Sequence, residues 1–478
     1  MIRMNGKMST LTSLALVSAL ALSACANGDG QEEPTDEPTA GAEASAEGAA
    51  ADAAEDGGED EEQVEPSDRP THEAGGPSPR LAVTYDGGVS VIDGATLEVL
   101  GDFSAQGFVR VNPAGDGRHV FLAEGDSFRL LDAGTWGEPH GDHNHYYTTD
   151  PLLTDIAVDG DTPAHVVAHH GIGVLFFDGT GEYHWFDIAD LDAESEIETE
   201  SAATEGVHHG VAVVMEDGTR FETLEDRSGA RVLDAEGEEL ARAENCPGVH
   251  GEAAGPDPII AVGCEDGALI WDGSEFQKID GGAEYARSGN LFPAEGSPIF
   301  LADYRTDQDV PMTEVALINA ETLELTTADI GAAYNFRSLA RGPEGEALVL
   351  AEDGQLHVID AETGERIDQV QIMDEWTEPE EWQQPRPAIR VIGDIAYITE
   401  PEAQTIHMVD LTSLEIIHSA ELDFVPNEIA AADGRPAHGA QEGEHDHGDH
   451  DHGDHDHGDE DHDHDHDHDH DDEDEHDH

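Results

Sequence analysis

The sequence predicts an all-β chain folded as a β-propeller, on three observations. Short apolar runs of alternating pattern fill the middle of the chain, broken by Asp-Gly, Glu-Gly and Asp-Gly-Gly turns, and helical periodicity is almost absent. One such run, closing in Asp or Asn, recurs eight times. Its closing residues stand 38 to 56 residues apart, the spacing of four-stranded blades with some loop insertions. Eight blades is the expected number. Seven is the alternative, because the intervals from 132 to 178 and from 178 to 234 can conceal a miscount.

Residues 1–25 read as a processing segment. Arg3 and Lys7 precede the apolar run Leu11 to Leu22, and Leu22-Ser23-Ala24-Cys25 has the form of a bacterial lipobox. The run is shorter than the ~18 residues a membrane span needs. The mature chain is therefore expected outside the cytoplasm, lipid-anchored through Cys25 to the outer face of the cytoplasmic membrane. Residues 26–79 are Glu, Asp, Ala, Gly and Pro with almost no apolar content. Such a segment cannot offset its own ordering entropy and reads as a disordered acidic linker.

The propeller is expected over residues 80–436. The eight repeated runs close at Asp93, Asp132, Asp178, Asp234, Asp272, Asn319, Asp360 and Asp410, and each is read as the third strand of a blade. Most follow a second apolar strand and a turn, as in His119-Val120-Phe121-Leu122-Ala123-Glu124-Gly125. Leu81-Ala82-Val83 reads as a second strand with no first strand before it, and Asn427 to Gly434 as a first strand with nothing after it. One would complete the other, closing the ring and removing the edge strands that invite aggregation.

Three similar signatures punctuate this frame: Ala168-His169-His170-Gly171, Val207-His208-His209-Gly210 and Gly248-Val249-His250-Gly251. His209 and His250 fall where first strands begin in successive blades. His169 and His170 are read into a second-to-third-strand loop one blade earlier. Those positions share one mouth of a propeller channel, so His170, His209 and His250 are expected to converge, with His208 and His169 as spares. Three imidazoles with an open fourth position suit Zn²⁺, although copper and nickel are not excluded. Asp155, at the start of another expected first strand, and Glu252 are candidate acidic partners. Pro139-His140-Gly141-Asp142-His143-Asn144-His145-Tyr146 is a second cluster, a metal site or a loop at the mouth; alternation puts His143 and His145 on one face. Cys246 and Cys264 flank two neighbouring strands, and outside the cytoplasm a disulfide is expected between them. No glycine-rich phosphate loop, serine nucleophile elbow or His-Glu-x-x-His helix is present, and an enzyme is not expected.

From residue 437 the chain becomes a His- and Asp-rich tail. His445, His447, His450, His452, His455, His457, His462, His464, His466, His468, His470, His476 and His478 alternate with acidic residues. The tract has nothing to form a core and is expected to be disordered without metal, capturing divalent ions weakly at many sites. The whole chain has 109 acidic against 20 basic residues and a formal net charge of -89. Nucleic acid is a poor partner for that field and metal cations are good ones.

Taken with the His-His-Gly segments at 168–171 and 207–210, the His-Gly at 250–251 and His140-Gly141-Asp142-His143, the repeat over residues 81–434 resembles the zinc metallochaperones of the AztD type. The resemblance implies an extracytoplasmic propeller protein that passes zinc to the solute-binding protein of a zinc ABC transporter; the chain itself is expected to be a monomer. In that family the histidine-rich tract tends to lie near the N-terminus; here it is C-terminal, and a lipobox leader replaces a plain signal peptide. A lipid-anchored zinc store without directed delivery is the alternative, and a metal-dependent propeller hydrolase a further one.

Overall fold

A computed structural model of the chain describes residues 69–437. The leader, Cys25, residues 26–68 of the linker and the histidine tail from 438 lie outside the described residues. Within them the architecture is all-β and multi-bladed, resembling a propeller. Four consecutive antiparallel strands run side by side in each of four sheets, starting at Pro163, Ala212, His250 and Ala388, and the His250 sheet takes Ala286–Arg287 as a fifth, parallel strand. The sheet of Arg110–Pro113, His119–Glu124 and Ser127–Asp132 takes Leu152–Asp159 as its fourth strand. Residues 291–371 form a seven-stranded sheet around one long strand, Glu324–Arg341. That strand pairs with Met312–Asn319 along its first half and Ala347–Ala351 along its second, with a register shift within each pairing. Ile429–Ala432 supplies the first strand to Arg80–Tyr85, with Leu81 opposite Ala431 and Val83 opposite Ile429.

The burial pattern explains why these segments are strands. Second and third strands are packed on both faces by neighbouring sheets, so they are buried almost throughout and mostly apolar, as in Arg80–Tyr85 and Ala347–Ala351. Fourth strands lie outermost and are exposed and charged, as in Arg366–Gln371 and Glu415–Glu421. The core lies between sheets. Leu81, Val83 and Ile92 share one cluster with Ala388, Tyr397, Ile406 and Met408. Ala82, Val91, Val111, Leu122 and Ala430 share the next.

The repeated Asp or Asn has a local reason. The side chains of Asp93, Asp272, Asn319, Asp360 and Asp410 each accept hydrogen bonds from two backbone N–H groups within the next three residues. That closes the third-to-fourth-strand turn. These bonds also hold the Asp272 carboxyl down at about 2, with the Glu275 N–H the largest contributor.

Three expectations require correction. The run ending at Asp178 is Ile172–Phe177, the second strand of its sheet and not the third. The reading erred because a hairpin, Thr135–His140 and His143–Thr148, is inserted between the third and fourth strands of the preceding sheet. Leu152–Asp159, read as a first strand, is therefore that sheet's outer strand, and the Asp155 side chain is 89% exposed, 3.6 Å from Arg129. Residues 69–79 are also tied down rather than linker-like. Arg69 donates to Asp132 (2.7 Å) and to the Asp150 carbonyl (2.6 Å), and His72–Ala74 pairs with His143–Thr148 as the third strand of the hairpin sheet. Composition across the segment conceals those few specific bonds.

Candidate metal centre

His209 and His250 enter the first strands of consecutive sheets, and their Nε2 atoms stand 3.1 Å apart. Each ring is held from behind. His209 Nδ1 lies 2.5 Å from Asp178 Oδ2, and His250 Nδ1 lies 2.5 Å from the Gly289 carbonyl. Both oxygens can only accept, so both Nδ1 atoms carry the proton. In the neutral tautomers both Nε2 atoms then present lone pairs to each other. Two facing lone pairs at that distance do not make a hydrogen bond. They have the spacing of two ligands on one cation, since bonds of ~2.0–2.1 Å in a tetrahedron put ligand atoms about 3.4 Å apart. A carboxylate or carbonyl behind each imidazole is the usual orienting partner of a metal ligand.

The third ring beside them is His165, not His170. Its centroid lies 5.0 Å from that of His209 and 6.2 Å from that of His250. These three histidines line a cavity of about 630 Å³ with Arg110, Asn290 and Asp303. His170 sits with Gly171 in the two-residue turn joining Pro163–His169 to Ile172–Phe177, with φ of 43° and 83°. That turn is at the far end of the strand. His165 and His169 are four residues apart on it, about 13 Å at an extended rise. His169 and His170 gather there with Asp257, their ligand atoms within 4.8 Å of one another. His208 is buried with both nitrogens used, Nδ1 on the Gly206 carbonyl and Nε2 on the Thr223 hydroxyl, each at 2.9 Å, so it serves packing. Glu252 is two residues beyond His250 on the same first strand. Burial pushes its carboxyl up to about 7.

The loops that place His250 are well braced. Cys246 and Cys264 form a disulfide across the base of its strand. The Arg227 guanidinium donates to the Val249 carbonyl. Asp303 accepts from the N–H groups of Gly289 (2.5 Å) and Asn290 (2.8 Å), which fixes the carbonyl behind His250. Gly251 has φ of 61°, and a Cβ there would meet the Gly289 oxygen at 2.4 Å, so glycine is required by this approach. The His-Gly echo therefore has different causes in different copies: a turn at 170–171 and a close approach at 250–251.

The hairpin carries a second constellation. His140, His143 and His145 have ring centroids 5.0 to 5.3 Å apart. Nε2 of His143 and His145 face each other at 3.3 Å, with Asp142 3.1 Å from Nδ1 of the first and Glu73 3.1 Å from Nδ1 of the second. The carboxylate-backed arrangement is the same, on an exposed surface. Sequence reading missed His165, Asp178, Glu73 and Asp257. The available signal was the turn. Reading His170-Gly171 as a two-residue hairpin loop places His165 at the opposite end of the strand.

Burial holds the His165 imidazole well below its ordinary pKa, and its neighbours His209, His250 and Arg110 act in the same sense. Burial likewise takes His250 down to about 4, with His209, Arg287 and Arg227 contributing. Both rings are thus neutral, and free to ligate, at neutral pH. In the unfolded chain such groups titrate near 6.5. The folded state then binds fewer protons between the two values. This contribution to stability is complete above pH ~6.5 and is lost as pH falls through about 4. The thermal midpoint of the metal-free chain is expected to fall across that window, with a shallower slope in His250→Gln. An unchanged slope in the variant would show that His250 does not supply it.

Fold and site together define a multi-bladed all-β protein bearing carboxylate-backed histidine clusters. In sequence the chain is 27% identical over 370 residues to the zinc chaperone AztD of Citrobacter koseri, across 75% of this chain and 86% of that protein. The crystal structure of Citrobacter koseri AztD superposes with a TM-score of 0.66 at 24% identity, covering 74% of this chain and 98% of that one. The apo structure of the same protein gives 0.65 at 23%, with the same coverage. No family model matches. The resemblance to the AztD type therefore holds in sequence and in fold alike.

Proposed function

We propose that this chain is a non-enzymatic zinc metallochaperone that captures Zn²⁺ outside the cytoplasm and hands it to the solute-binding protein of a zinc ABC transporter. The observation that carries the reading is the His209–His250 pair, two Nε2 atoms facing each other at 3.1 Å with acceptors fixed behind both rings. The relative that bears the name zinc chaperone supports it. In this reading His209, His250 and His165 hold one ion, and His140, His143 and His145 on the hairpin offer an outlying site. The thirteen tail histidines gather ions loosely around both. Three protein ligands leave a position for an incoming ligand from the acceptor, which permits direct exchange. We further propose that eight four-stranded blades close into a ring through Ile429–Ala432, and that Cys25 anchors a monomer to the membrane through the acidic linker. A disulfide at Cys246–Cys264 fits the oxidising side of that membrane.

Stopped-flow transfer separates delivery from storage. Zinc-loaded chain mixed with the metal-free solute-binding protein is expected to pass its ion faster than it releases zinc to an excess of chelator, with a rate that rises with acceptor concentration. A rate equal to spontaneous release, independent of acceptor, would reduce the function to storage.

A further inference from the structure

We propose that the same three sheets hold a second, separate transition-metal site at the opposite ends of their first strands, built from His169, His170 and Asp257. His165, His209 and His250 stand at or near the starts of the strands at 163–169, 212–214 and 250–254. The other ends of those strands lead into three turns: His170-Gly171, Met215 to Gly218, and Gly255 to Ile259. These turns line one cavity of about 250 Å³, which His169, His170, Met215, Glu216, Asp217 and Asp257 face. No histidine or carboxylate of the proposed zinc centre takes part in it.

Two observations point to a ligand there. The ligand atoms of His169, His170 and Asp257 lie within 4.8 Å of one another. Independently, His169 is only 7% exposed, and its Nε2 is buried with no hydrogen-bond partner among the described residues. A buried ring nitrogen left unpaired is uncommon in a folded protein, and a cation is a partner that satisfies it. The His169 and His170 rings meet edge to face with centroids 4.1 Å apart, so neither can hydrogen-bond the other through its plane. Two imidazoles and a carboxylate select a borderline divalent ion such as Zn²⁺ over calcium or magnesium, which prefer oxygen alone. His170 holds a left-handed backbone in the turn, so its position is set by the hairpin and not by the ion. An ion bound here would join the sheets that begin at Pro163 and His250 across the turn of the one between them.

Zinc-edge anomalous scattering from crystals of the full chain, equilibrated at low-micromolar free zinc, tests this site separately from the first. A peak among His169, His170 and Asp257 is expected. It should be lost in His170→Asn, which keeps a residue tolerant of the left-handed turn, and in Asp257→Asn, while any peak at His209 and His250 persists. No peak at the turns, or one that survives both substitutions, overturns the proposal whatever is found at His209. A peak at the turns with none at His209 and His250 would instead sustain this site and remove the other.

Discussion

Replacing His209 with alanine is expected to weaken the tightest zinc site by at least ~100-fold. It removes one of the two facing Nε2 atoms outright, and loss of even an outer orienting partner costs about 10–100-fold. Asp178→Asn should fall within that lower range. The amide oxygen can still accept from His209 Nδ1, but the charge that favours the ligand's basicity is gone. His208→Ala is the control. That ring is spent on Gly206 and Thr223, so the variant should lose stability and keep its zinc affinity. Competition against a chromophoric chelator strong enough to strip the tail reads the tightest site in the full chain. If His209→Ala holds zinc as firmly as the parent, the ion is held elsewhere and the proposed centre is wrong.

The second large effect concerns the disulfide. Cys246 and Cys264 are separated by 18 residues, and a loop of that size corresponds to about 3 kcal/mol of stabilisation. Cys246→Ser/Cys264→Ser should therefore lower the thermal midpoint by about 5 °C. It should also loosen zinc. The bridge fixes residues 247–249, from which the His250 strand departs and of which the Gly248 and Val249 carbonyls accept from Arg227. Zinc is expected to be lost to chelator about tenfold faster. Reductant should reproduce both effects in the parent and neither in the double variant. A variant with unchanged midpoint and unchanged release would show that Arg227 and Asp303 hold the loop without the bridge.

The two clusters with facing Nε2 atoms share one construction. In each, a histidine ring lies between an acceptor on one side and another imidazole on the other. They differ in setting. The hairpin cluster is exposed and rests on one supersecondary unit plus Glu73, so its members can move independently. The central cluster draws each histidine from a different sheet and sets it, half-buried, in a cavity lined by arginines and other polar groups. A site built on separate rigid sheets is the better candidate for tight, fixed coordination, and the hairpin the better one for exchange with a partner.

Much of this was legible in the chain itself. The strand type, the rhythm of the repeat, the turn-closing Asp and Asn, the pairing of Ile429–Ala432 with Arg80–Tyr85 and the positions of His209 and His250 are carried by local pattern. Alternation and turn chemistry act over a few residues, so they can be read there. What tertiary structure decided was which end of a strand each histidine occupies. The hairpin between Asp132 and Leu152 displaced the strand count by one, and that single shift moved His169 and His170 to the opposite ends of their sheets and brought His165 in their place. It also turned Asp178 from a turn-closing residue into the carboxylate behind His209. Contacts between Asp178 and His209, or between His169 and Asp257, join residues on different sheets. Their geometry is fixed by how sheets pack, which no local periodicity encodes.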